Sequence, residues 1–206
     1  MVRSRMSCAA RRPLLSLTLA SACACAAFAL FPKEAHASNF DLGIDGDANA
    51  MLAPDPTKYN LSTLGTGFKI RFGDQFHLLY GIKLTPEVGY AFDHVFAANS
   101  GQLFGPENMN RIFAGVRVGV GRWVVPTVYA HVGYGFRSVS QEGTVDMNGS
   151  ASENGFTFDT GISVEFRLAR HLSIGPHAEY VFIDAPVGTS SGPQWLAFGG
   201  HLDILF

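Results

Sequence analysis

Apolar and polar residues alternate through eight stretches of this chain, and no stretch after residue 37 repeats with the period of a helix. A period of two puts successive side chains on opposite faces of an extended strand, so the chain is committed to β-structure with one apolar face. The first stretch, 40–52, sets Phe40, Leu42, Ile44, Ala48, Ala50 and Leu52 against Asp41, Asp45, Asp47 and Asn49. The second, 64–72, sets Leu64, Phe68, Ile70 and Phe72 against Lys69 and Arg71. The third, 77–92, opposes Leu84, Val88 and Tyr90 to Lys83 and Glu87, and the fourth, 111–121, opposes Ile112, Val116 and Val118 to Arg111 and Arg117. The fifth, 127–137, sets Val128, Val132 and Tyr134 against His131 and Arg137. The sixth, 155–168, sets Phe158, Ile162 and Val164 against Asp159, Glu165 and Arg167. The seventh, 172–183, and the eighth, 195–206, place Ile174, Tyr180, Phe198, Leu202 and Ile204 opposite His177, Glu179, His201 and Asp203. Across all eight the apolar face carries no Asp, Glu, Lys or Arg.

The beginning of the chain reads differently. Arg3, Arg5, Arg11 and Arg12 precede an apolar run from Pro13 to Phe31, and Ala35-His36-Ala37 has the small-residue form of a cleavage site. Residues 1–37 are therefore expected to be an export signal cut after Ala37, leaving 38–206 as one domain. A lipoprotein cut before Cys23 and a twin-arginine route at Arg11-Arg12 are the alternatives to ordinary secretion. Cys8, Cys23 and Cys25 all fall in the removed piece, so the remainder forms no disulfide and offers no thiolate. Loss of Arg3, Arg5, Arg11, Arg12, Lys33 and Glu34 leaves a chain more acidic than the whole, whose formal charge is −2. Nucleic acid is excluded as a partner, because binding through phosphates needs a basic excess. No later segment is long and apolar enough for a transmembrane helix.

The links between stretches alternate in length. Those at 73–75, 122–126 and 169–171 are short, whereas 53–63, 93–110, 138–154 and 184–194 are long and rich in Gly, Pro, Asn and Ser. Short turns at one end and long loops at the other are the pattern of an outer-membrane barrel. With odd strands running outward, Tyr90, Phe92, Tyr134, Phe136, Phe156, Phe158, Tyr180, Phe182 and Phe198 gather at the outer rim, and Phe40, Phe72, Phe166 and Phe206 at the inner one. The polar face then lines a lumen that eight strands make just wide enough for side chains to fill. Its expected charge network is Asp45, Asp47, Lys69, Arg71, Lys83, Glu87, Arg117, Arg137, Asp159, Glu165, Arg167, His177, Glu179, His201 and Asp203. Pro86 and Pro176 each remove a ladder donor and are expected to sit at bulges.

On these features the chain resembles the small outer-membrane β-barrels of the OmpA and OmpX type over residues 38–206. The most specific element is the last strand, Leu196, Phe198, Gly200, Leu202, Ile204 and Phe206. Leu84-Thr85-Pro86-Glu87-Val88-Gly89-Tyr90 and Ile174-Gly175-Pro176-His177-Ala178-Glu179-Tyr180 are similar to outward strands of that group. The resemblance implies an eight-stranded antiparallel up-and-down transmembrane barrel. It implies that Phe198, Leu202, Ile204 and Phe206 form an assembly signal read by the barrel-assembly machinery, and that outer-membrane lipid and lipopolysaccharide surround a monomer.

Candidate sites are few. His171-Leu172-Ser173 has the form of an acyl-hydrolase His-x-Ser, but it falls at a short turn, and a deacylase of this architecture needs a histidine facing lipid. His77, His131, His177 and His201 take the inward phase, and His94 falls in a long link. If the last two strands pair with matched ends, His177 and His201 oppose one another beside Glu179 and Asp203, an arrangement open to a metal or pH-responsive reading. Asp41, Asp45 and Asp47 are similarly open to a Ca²⁺ reading. Ions filling a narrow lumen account for both, and no cofactor, metal or catalytic residue is expected. Specific contacts would come from the long links, of which the second, with Phe96, Leu103, Phe104 and Met109, is the most apolar. The expected function is structural or surface-interacting. A narrow pore, or a soluble periplasmic lipocalin-like binder with its apolar face inward, are the alternatives.

Overall fold

The computed structural model describes residues 39–53, 61–78, 81–97, 107–139, 151–184 and 192–206. The expected export signal and most of the four long links lie outside them. Eight strands form: β1 (Asn39–Ala53), β2 (Leu61–His77), β3 (Ile82–Ala97), β4 (Glu107–Val120), β5 (Val124–Val139), β6 (Ala151–Ala169), β7 (Leu172–Asp184) and β8 (Gln194–Leu205). Each pairs antiparallel with its sequence neighbours, and β8 pairs with β1 to close a barrel. A ladder followed around the wall runs from Ile44 through Ile70, Tyr90, Ile112, Tyr134 and Phe156 to Asp184. It climbs from the middle of β1 to the last residue of β7, the stagger that closure of a tilted sheet requires. Closure also pairs both edges, so no strand presents an open row of amides to its surroundings.

Several boundaries differ from the sequence reading. The first short turn is not at 73–75: Gly73 pairs with Asp41 and Glu87, and Asp74 with Phe40, inside β2. The chain reverses instead at 78–81, where Leu78 N–H donates to the Ile82 carbonyl at 2.8 Å and Gly81 adopts φ 75°. A left-handed residue is what the tight reversal demands, and Gly73-Asp74 imitated that signal by composition alone. His77 keeps the expected inward phase, opposite Lys83, but lies exposed at the rim. The second short turn centres on Gly121, at φ 130°, and β5 begins before the expected 127. The second long link is shorter than expected, since β3 continues to Ala97 and β4 starts at Glu107. Met109 is thereby a fully buried lumen residue, while Phe96 is exposed on the outer face; Leu103 and Phe104 lie outside the described residues.

The prolines do not make bulges. β3 keeps one register against β2 from Gly73↔Glu87 to Phe76↔Leu84, and only the two pairs around Pro86 drop out. Around Pro176 the pairing of β6 and β7 is interrupted in the same way between Ser163↔His177 and Phe166↔Ile174. The missing N–H removes local hydrogen bonds on one side without inserting a residue. Register shifts occur elsewhere, at Met51/Ala53, Leu61/Gly65 and Arg167/Ala169, all near strand ends.

Two glycines separate the requirements of the faces. A Cβ at Gly43 would meet the Arg71 guanidinium, with Nη2 at 2.6 Å, whereas at Gly46 it would meet nothing within 4 Å. Gly43→Leu should therefore destabilise the barrel by about 1–3 kcal/mol through overpacking, and Gly46→Leu should be neutral or stabilising, as read from urea unfolding transitions in detergent.

Candidate functional site

The alternation resolves into an inside and an outside. Ile162 and Ile112, on the apolar face, are 62% and 60% exposed, whereas Arg71 and Arg111 are 1% and 2% exposed within the lumen. The apolar face is the outer one. Phe40 packs against Phe72 and Phe206 at the short-turn end, and Phe68 against Tyr90 and Phe92, and Tyr134 against Phe136 and Phe156, towards the other.

The lumen holds a continuous lattice of ions. Arg71 on β2 donates through Nε and Nη2 to Asp45 on β1, at 2.9 and 2.8 Å, through Nη2 to Asp203 on β8 at 2.8 Å, and through Nη1 to Glu87 on β3 at 3.3 Å. Arg111 on β4 donates to Asp93 on β3 at 3.1 Å and to Asp159 on β6 at 2.9 Å, and faces Glu179 on β7 at 3.6 Å. His131 on β5 joins the two groups, with Nε2 2.6 Å from Glu87 and Nδ1 against Asp159. These three basic side chains contact acids on, or themselves stand on, all eight strands. Lys69 pairs with Glu179, and Arg117 approaches Glu87 at 3.4 Å and Glu165 at 3.7 Å. Aromatic rings back the cations: Phe113 lies 5.2 Å from Lys69 Nζ and Tyr129 5.2 Å from the Arg117 guanidinium.

Of the residues expected in this network, Asp45, Lys69, Arg71, Glu87, Arg117, Asp159, Glu165, Glu179 and Asp203 meet in it. Asp47 pairs separately with His177. Arg167 bonds Gln75 at the short-turn end, Lys83 lies near it, and Arg137 sits half-buried at the opposite end between Met109 and Glu153. Arg111 shares the polar phase but is not among the expected members; the sequence reading places Asp93 in a link and gives His131 a phase without a partner. Asn49 also joins, donating to Asp93 at 2.8 Å.

His177 and His201 are not opposed. β7 and β8 pair with His177 against Gly199 and Gly175 against His201, two residues away from matched ends. Their rings are diagonal neighbours with centroids 5.9 Å apart, and His201 Nε2 faces Asp203 at 3.4 Å. The group with ligand-type spacing is instead His131, Asp159 and Glu179, whose atoms lie within 4.8 Å of one another. Lys69 and Arg111 already neutralise it, so it reads as part of the ion lattice. Towards the long-link end the lumen changes character: Met51, Val95, Met109, Val181, Ile183, Trp195 and Ala197 form a buried apolar cluster above the ions. The sequence reading does not single these residues out; their concentration in the polar phase at the long-link ends of strands is the signal that marks them.

His94 lies on β3 and not in a link. It has the phase of Tyr90 and Phe92, and its Nδ1 meets Asn108 Oδ1 at 2.7 Å. Its ring packs on Phe96. Among the described residues it has no bonded serine or carboxylate. His171 Nδ1 meets the Leu205 carbonyl at 2.9 Å, and Ser173 is buried, so this pair forms no shared surface site.

No family model and no curated protein matches the chain. Among solved structures it is similar to Neisserial surface protein A, with a TM-score of 0.57, 10% identity, and 81% of this chain and 97% of that chain covered. The chain has the small outer-membrane β-barrel fold. It is likewise similar to the attachment invasion locus protein Ail of Yersinia pestis in complex with the heparin analogue sucrose octasulfate, with a TM-score of 0.52, 14% identity, and 81% and 99% coverage. The outer membrane enzyme PagL gives a TM-score of 0.49 at 14% identity, covering 80% and 98%.

In a barrel of this fold the lattice must stay complete. Arg71→Met leaves Asp45 and Asp203 buried without their cation and should cost about 3–5 kcal/mol, whereas Arg122→Met, at an exposed turn, should stay within about 0.5 kcal/mol. Urea unfolding followed by tryptophan fluorescence distinguishes the two.

Proposed function

We propose that this chain is an integral outer-membrane barrel, exported by its first 37 residues, whose lumen is closed by its own side chains and whose contacts are made at the long-link end. The observation that carries this reading is the inverted distribution of polarity. A closed wall with Ile112, Val132 and Ile162 outermost and arginine inside is suited to lipid, and the shared fold of two outer-membrane proteins supports it. An inward-facing apolar cavity of lipocalin type is incompatible with it.

A structural or surface-contact role fits better than a pore, because the ion lattice and the apolar cluster above it occupy the lumen from wall to wall. It also fits better than catalysis, since the one histidine described above that has both a serine and a carboxylate beside it, His177 with Ser163 across the ladder and Asp47 at its Nε2, is buried in the lumen, and Ser163 Oγ bonds to no partner there. The long links contain Lys58 as their basic residue against Asp55, Glu142 and Asp146, a balance unsuited to the sulfated ligand held by Ail. Uncharged partners, such as sugar or protein surfaces, suit Gly-, Ser- and Asn-rich segments better. The outer face of β8, with Phe198, Leu202, Ile204 and Phe206 beside β1, is the strand offered to the assembly machinery.

Cells expressing the full chain should carry it in the outer membrane as a band that shifts on boiling, and planar bilayers containing it should be silent. A periplasmic band without a shift would refute the membrane reading, and a stable step conductance would refute the closed lumen. Ile162→Arg should weaken the folded barrel in lipid by about 2–4 kcal/mol, measured by urea titration in vesicles.

A further inference from the structure

We infer that the short-turn end of the lumen binds a small oxyanion between Lys83 and Arg167. Lys83 is the second residue of β3 and is 4% exposed, yet its Nζ is buried with no hydrogen-bond acceptor. Arg167, near the end of β6, reaches across the lumen to β2, where Nη2 donates to Gln75 Oε1 at 3.0 Å; its Nε is buried and also without an acceptor. The charges bearing on Lys83 are Arg167, which repels it, and Glu165, which attracts it. Glu165 is otherwise engaged, accepting from Thr127 Oγ1 at 3.3 Å and facing Arg117 at 3.7 Å. Across the ladders from Lys83 stand His77 on β2 and Gly119 on β4, neither of which supplies an anion.

A buried ammonium without an acceptor is costly, and a second cation beside it raises that cost. Lys69, Arg71 and Arg111, deeper in the same lumen, each have a carboxylate. The pair at the mouth holds unbonded cationic donors of the kind that bind phosphate, sulfate or carboxylate oxygens. Gln75 pins the guanidinium in place, so the site is largely built before its ligand arrives. Two sources offer that chemistry: inorganic phosphate in solution, and the phosphoryl headgroup of a lipid in the adjoining leaflet. The side of the membrane to which the mouth opens rests on the outer-membrane reading; the binding itself does not.

The test uses the barrel purified from membranes of cells expressing the full chain, held in uncharged detergent and titrated with inorganic phosphate by calorimetry. One saturable site is expected, weakened at least tenfold by Lys83→Gln and by Arg167→Gln and unchanged by Arg122→Gln, an exposed arginine at the same end. Absence of saturable binding to the unaltered protein, or equal loss in all three variants, would overturn the site. The boiling shift reports folding of each variant independently, and Arg167→Gln carries the test if Lys83→Gln does not fold. The same shift separates failure of the membrane reading from failure of the anion site. Repeating the titration in nanodiscs with and without phosphatidylglycerol assigns the source: competition identifies a lipid headgroup, and no competition identifies the free ion.

Discussion

Arg71, Arg111 and His131 tie together acids and bases that stand on every strand of the barrel, and the fold depends on that lattice being both buried and complete. In a water-soluble protein the apolar core lies inside and the ions outside. Here the wall is one strand thick, so the two faces exchange roles and the ions become the core. Desolvating each charge is expensive, and the attraction between partners roughly offsets it, so the lattice adds less net stability than its number of bonds suggests. What it supplies is definition. A one-residue slip of any strand would turn its ions towards lipid and its apolar side chains into the lattice, so the register is held from both sides.

Space for the lattice comes from residues without side chains. Gly43 leaves room for the Arg71 guanidinium, Gly115 for His131 and Gly161 for Tyr129, and each glycine is the ladder partner of that long group on the adjacent strand. The lumen is thus filled by pairing small residues with large ones, as in a soluble core, although most of the large ones are polar or charged. Above the lattice the apolar cluster around Met109 and Trp195 closes the lumen with different chemistry, and Arg111 joins the two layers by facing the Trp195 ring at 5.3 Å.

Much of this was legible in the sequence, because alternation with a uniform apolar face fixes strand number, phase and antiparallel order together. A strand's phase is set by its own alternation and not by where it begins, so the misplacement of the first turn left the phase of Lys83 and Glu87 intact. The partners were less legible. Which acid meets which base depends on stagger around a closed wall, and the assumption of matched ends for β7 and β8 displaced His177 from its partner on β8 by two residues. Asp93 and Met109 were lost for a different reason: Gly-, Pro- and Asn-rich sequence marks a link without marking where pairing begins. Pro86 and Pro176 suggested bulges because a missing donor was equated with an inserted residue, whereas the ladder tolerates the gap without shifting.

The central claim is that lipid meets the apolar face and never the lumen, and the chain's two tryptophans are placed to test it. Trp123 is 67% exposed at the short-turn rim, and Trp195 is 2% exposed within the apolar cluster of the lumen. In vesicles carrying quenchers attached to the lipid near the headgroups, Trp195→Phe, which retains Trp123, should be strongly quenched, and Trp123→Phe, which retains Trp195, should be almost unaffected. Quenching of Trp195 with Trp123 untouched would contradict the account.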